Sequence, residues 1–139
     1  MILQSLMIAD SKGAPLYYRG FGTAHTDPQI FSGLIATISM IGVQLFKKEV
    51  ATVQFGANPD DEQIIVITRD LFQANKHVNF VFVCTCDCEQ KIFREVASAI
   101  FIEIKPLIRN DKTDGIAAIV NKIVDTRFGG LKTFSCSSK

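Results

Sequence analysis

A chain of 139 residues and 15.4 kDa has room for one domain, and 47% hydrophobic against 21% charged residues is enough for a packed core, which excludes wholesale disorder. Fifteen Lys and Arg against fourteen Asp and Glu leave a net charge of +1, which removes the electrostatic case for a dedicated nucleic-acid binder. Residues 105–139 hold seven basic side chains against three acidic ones, a gradient small enough to be ordinary surface.

In chain order, Ile2–Ala9 reads as a strand apolar on both faces, Asp10-Ser11-Lys12-Gly13 as a turn, and Leu16–Phe21 as the returning strand. Pro15 cannot serve a central strand, so this second strand belongs at a sheet edge. Asp27-Pro28 opens a helix, Asp as N-cap and Pro at the first helical position, that runs to Phe46 or Lys48. Val50–Phe55 is the third strand, closed by the turn Gly56–Asp61. Glu62–Thr68 and Val78–Cys84 are the fourth and fifth, each apolar on both faces and so interior to the sheet. Asp87 with Gln90 has the shape of a capping box and starts a second helix through Ile92, Phe93, Val96, Ile100 and Ile104, which Pro106 kinks or ends. Thr113 or Asp111 caps a third helix with the stripe Ile116, Ile119, Val120, Ile123 and Val124. Gly129-Gly130 stops it.

The predicted order is β-β-α-β-β-β-α-α. It implies an α+β fold: a five-stranded, mostly antiparallel sheet with one helix on one face and two on the other. Residues 1–128 form the domain and 129–139 a flexible tail.

That order, together with Ile2–Tyr18 around the Asp-Ser-Lys-Gly turn and Asn79–Val83 running into Asp87–Ile104, resembles a longin domain of the longin/roadblock superfamily. The sister roadblock fold normally begins with a helix, and a strand opening at Ile2 leaves no room for one. The resemblance implies a non-enzymatic interaction module. It would dimerise with another longin or roadblock domain and act as a platform for a small Ras-like GTPase or a membrane-trafficking-type complex. The alternatives are a small subunit of a coat adaptor, a domain like that of the signal-recognition-particle receptor, and a ligand or redox sensor built on the cysteines.

The residues themselves offer little chemistry. No phosphate loop is present, and Gly20-Phe21-Gly22 lacks the third glycine of a dinucleotide site. His25 and His77 sit in no triad pattern, Asp60-Asp61-Glu62 reads as a solvated loop, and Asp111–Gly115 lacks the alternating acids of a calcium loop. No cofactor and no metal are expected. Cys84, Cys86 and Cys88 stand at alternate positions, poorly placed to bridge one another and short of the four ligands of a zinc site, so Cys84 is expected to fill core. The segment after Met1 has no basic region and no cleavage site, so a reducing, cytoplasmic location is expected, with membranes reached only through partners. Cys136-Ser137-Ser138-Lys139 lacks the aliphatic pair of a prenylation signal.

The first helix is the informative element, because Pro28–Phe46 contains no charged residue. Its polar positions and two glycines argue against a membrane span. Phe31, Leu34, Ile35, Ile38, Ile41 and Leu45 are expected to cover the sheet. The outward face would then be Gln29, Ser32, Gly33, Ala36, Thr37, Met40, Val43 and Gln44. A solvated face ordinarily carries Lys and Glu; a small, uncharged one lets another helix approach closely. Longin and roadblock proteins pair through this helix and the adjoining edge strand, which adds Val50, Thr52 and Gln54 to the expected partner-binding residues.

Overall fold

The computed structural model describes residues 2–21, 27–54, 56–58, 61–71, 76–85 and 90–128. Its elements are β1 (Ile2–Asp10), β2 (Pro15–Gly20), α1 (Pro28–Phe46), β3 (Thr52–Gln54), β4 (Gln63–Asp70), β5 (His77–Thr85), α2 (Gln90–Arg109) and α3 (Ile116–Phe128), with a single 3-10 turn at Thr113–Gly115. The strands form one antiparallel sheet in the order β2-β1-β5-β4-β3. This is the α+β arrangement the sequence implies, with α1 on one face of the sheet and α2 and α3 on the other. Both ends are placed as expected: β2, with Pro15 at its start, is one edge and β3 the other.

Apolar residues on both faces of the inner strands are buried by helices on both sides. Ile65, Ile67, Phe80 and Phe82 point toward α2 and α3, where Phe82 stacks on Phe93 at 4.6 Å between centroids and Phe80 meets Phe101 edge-on at 6.4 Å. Met7, Ile64, Val66 and Val81 point the other way, toward Phe31 and Ile35 of α1. One irregularity changes a side chain's face. Leu3 pairs with Cys84 and Ser5 with Val83, so Gln4 is an extra residue on β1. That bulge turns Leu3 onto the side of Leu6 and Ile8, where strict alternation would have pointed it away.

The termini of the helices follow local chemistry. Asp27 accepts the Gln29 N–H at 2.9 Å and Pro28 occupies the first turn, as predicted. α1 ends at Lys47, a non-glycine residue in the left-handed region (φ 56°), whose N–H reaches the Val43 carbonyl at 3.0 Å. The chain then doubles back so tightly that a Cβ on Gly42 would lie 3.0 Å from the Lys48 carbonyl oxygen. This return carries the chain from α1 directly into β3.

Three expectations are corrected. Of the two expected effects of Pro106, ending α2 does not occur: the helix continues to Arg109, and the Pro106 carbonyl accepts the Asn110 N–H at 3.1 Å. The backbone hydrogen bond that Pro106 forfeits, having no N–H, is the one to the Ile102 carbonyl, on the solvent side of the helix. Strand β3 is shorter than the expected Val50–Phe55; Val50 precedes it and packs, half-buried, on the α1 side of the sheet. Cys84 is fully buried, as a core residue should be, but it is disulfide-bonded rather than free. Its partner lies outside the described residues, as do Cys86, Cys88, the expected N-cap Asp87, His25, Phe55, Asp60 and the tail 129–139.

Polar contacts fix α3 against the β2 edge. The Tyr17 hydroxyl donates to Asn121 Oδ1 at 2.6 Å, and Arg19 pairs with Asp125 at 2.9 Å while lying 5.1 Å over the Phe21 ring. Burial pushes the Tyr17 phenol above its ordinary value of 10.0. A raised folded-state value means that the contribution of Tyr17 is complete below about pH 10 and is lost as pH rises through the higher folded value. Tyr17→Phe is expected to cost about 1 kcal/mol at pH 8. It should also flatten the loss of stability between pH 10 and 12, as read by urea unfolding across that range.

Candidate functional site

A helix with no charged residue gives no electrostatic instruction about which side should face water. In α1 that choice is made by its neighbours. Phe31 and Ile35 enter the sheet, and Ser32 is buried beside them with its hydroxyl donating to the Gln29 carbonyl at 3.2 Å. The reason for burying a serine is the β1–β2 turn. Asp10 accepts the N–H groups of Lys12 and Ala14, both at 2.9 Å, and tightens that turn around Gly13 in the left-handed region (φ 85°). A Cβ on Gly13 would stand 3.1 Å from the Ala36 Cβ and 3.5 Å from the Ser32 carbonyl oxygen. The small residues Ser32, Gly33 and Ala36 therefore receive this chain's own hairpin.

Two of the eight helix residues expected to face outward are thereby turned inward. Ser32 is buried and Ala36 half-buried, while Gln29, Gly33, Thr37, Met40, Val43 and Gln44 remain exposed. Of the strand residues, Thr52 and Gln54 are exposed, and Thr52 Oγ1 accepts a hydrogen bond from Gln90 Nε2 at 3.0 Å. Leu34, Ile41 and Leu45, expected to cover the sheet, are instead 46%, 46% and 69% exposed. With Ile30, 73% exposed, they recur at intervals of four and seven residues and so form one apolar stripe along the helix flank.

Seven of the eight large hydrophobic side chains that lie exposed among the described residues belong to α1; Ile102 on α2 is the other. α1 is also long and apolar enough, by length and composition, to cross a bilayer, but here it packs Phe31 and Ile35 onto the sheet. The stripe ends at the tight return into β3, whose outer edge pairs with no other strand among the described residues. The domain thus offers an uncharged helix flank and, at the sheet edge, an open strand. Sequence periodicity could not have selected Ile30, Leu34, Ile41 and Leu45, because apolar residues occur on every side of this helix.

Among the described residues no three His, Cys, Asp or Glu side chains converge as metal ligands would. The Asp61 carboxylate accepts the Asn58 N–H at 3.0 Å, which occupies it in the turn before β4.

No protein-family model matches the chain, and no curated protein matches it. Among solved structures it is similar to the gliding protein MglB from Thermus thermophilus, at 13% identity and a TM-score of 0.47, over 86% of this chain and 79% of that one. It is also similar to MglB with a tetrameric arrangement, at 12% identity and a TM-score of 0.42, over 87% and 79%. The fold assignment accordingly rests on the strand order and helix placement described above.

Proposed function

We propose that this chain is a non-enzymatic interaction module that pairs with a second domain of longin or roadblock type, a copy of itself or a relative, through the exposed flank of α1 and the β3 edge. The pair then serves as a platform for a small Ras-like GTPase or a membrane-trafficking-type complex. The observation that carries the pairing is the concentration of exposed apolar side chains on one uncharged helix. Burying that flank removes apolar surface from water and desolvates no charge. The longin resemblance supports the GTPase part of the reading.

Sedimentation of the full chain between 5 and 200 µM (about one and a half decades around ordinary dimer affinities) tests the pairing. A concentration-dependent dimer, or a stable heterodimer with a co-purified domain of the same fold, supports the reading. A chain monomeric throughout that recovers no such partner removes it. Flotation with lipid vesicles separates the competing use of the same flank, since co-flotation of the isolated chain would assign α1 to a membrane surface instead.

The reading takes no cofactor and places the chain in the cytoplasm. The Cys84 bond pulls the other way, because cytosolic disulfides are uncommon. Thiol counting on protein alkylated at lysis decides it: four free thiols support the cytoplasmic placement, and a retained Cys84 disulfide opposes it.

A further inference from the structure

The two sides of α1 differ. On the side away from the apolar stripe, the helix and the sheet part to leave a cleft of about 590 Å³, within the size range of small-molecule sites. Its wall on the helix is Ala36, Ser39, Met40 and Val43; its floor is Thr68 of β4 with His77 and Asn79 of β5. The sheet changes character here. Elsewhere on this face it presents Met7, Ile64, Val66 and Val81, all apolar and buried. Within the cleft it presents a hydrogen-bonded pair, Thr68 Oγ1 donating to Asn79 Oδ1 at 2.7 Å, and Asn79 is only 2% exposed.

A polar floor so deeply placed is costly unless something satisfies it. Thr68 donates to the amide oxygen of Asn79, so a contact from this side chain to a ligand would run through its N–H pair. Above it, Ser39 Oγ is buried and has no hydrogen-bond partner, the one such side-chain atom among the described residues. Lys12, on the β1–β2 turn, lines the same end of the cleft as His77 and Asn79, because β1 and β5 are neighbours. Glu49, the acidic residue of the lining, precedes β3 and so enters from the opposite edge of the sheet, beside Thr68 rather than Lys12. Hydrogen-bond donors and a cation thus gather at one end, and thioether and branched aliphatic groups line the helix wall.

We propose that this cleft binds a small amphipathic carboxylate, its carboxylate at Lys12, His77, Asn79 and Ser39 and its apolar chain along Met40 and Val43. The site is distinct from the stripe of Ile30, Leu34, Ile41 and Leu45, so it stands whether or not that stripe is a pairing surface. Hexanoate is the probe, with hexanol and hexylamine as its uncharged and cationic counterparts, titrated into the full chain and followed by amide resonances in a two-dimensional NMR spectrum.

Hexanoate is expected to shift the amides of Ser39, Met40, His77 and Asn79 saturably, and to bind at least fivefold more tightly than either counterpart. Lys12→Met and Ser39→Ala should each weaken it at least fivefold. Ser39→Ala should leave the unliganded melting temperature unchanged or raised, since it removes a buried hydroxyl that bonds to nothing. Absence of saturable shifts at these amides up to 20 mM (roughly the weakest affinity a ligand of this size should show) overturns the proposal. Equal or tighter binding of hexanol or hexylamine, or unchanged hexanoate binding by both variants, overturns it as well. Because the readout is binding to the single chain, these outcomes do not depend on the oligomeric state.

Discussion

A Leu34→Glu, Ile41→Glu variant is expected to sediment as a monomer at every concentration where the unaltered chain is paired, while keeping its urea-unfolding midpoint. Both side chains are nearly half exposed, so carboxylates there can reach water in the isolated domain and the fold loses little. In a pair the same carboxylates would sit in the desolvated centre of the contact. Truncation at such a centre costs about 2 kcal/mol or more per residue, and each 1.4 kcal/mol is about a tenfold loss of affinity. The pair of substitutions should therefore weaken association by about a thousandfold. The informative control is Ala36→Glu. Ala36 abuts the Gly13 turn, so this change should lower the unfolding midpoint by displacing the hairpin, whatever it does to association. If the double variant dimerises like the unaltered chain, the α1 flank is not the pairing surface.

The largest expected loss of stability comes from the other side of the sheet. Phe82 and Phe93 are both fully buried and lie stacked at 4.6 Å with 27° between ring planes, joining β5 to α2. Truncating either to Ala removes a ring's worth of buried surface and leaves a cavity in a layer that α3 also helps to close, a change of about 3–5 kcal/mol. Against a typical total of about 5–15 kcal/mol, Phe82→Ala should leave the protein partly unfolded at 37 °C. Urea unfolding of both single variants and the double variant should also give a coupling of about 1 kcal/mol between the rings. Additive losses would show that the two rings merely share a core. Neither substitution touches the α1 stripe, so pairing measured at low temperature should survive both.

The fold was legible in the residues to the extent that local chemistry and burial pattern dictate it. Asp27-Pro28 starts a helix because a carboxylate can accept the free N–H groups of the first turn and proline has none to waste. Ile64–Ile67 and the run from Val78 to Cys84 must be inner strands, because side chains of both parities are apolar and both need cover. Pro15 sends β2 to an edge, and the one-sided stripes of the last two helices put them together on the face away from α1.

What the sequence did not decide is the rotation of α1. A helix without Lys, Arg, Asp or Glu has no face that must stay wet, so its orientation waits for whatever packs against it. A turn fixed by Asp10 and Gly13, in a different part of the chain, buries Ser32 and half-buries Ala36, and thereby turns Leu34, Ile41 and Leu45 outward. The face of Leu3 was hidden for the same kind of reason, since the bulge at Gln4 exists only in the pairing of β1 with β5. The cleft needed both layers: Thr68, Asn79 and Ser39 look like three ordinary polar residues until the sheet and the helix bring them to one space. Element identity is set by neighbours a few residues away, whereas the surface left for a partner is set by contacts that only the assembled layers make.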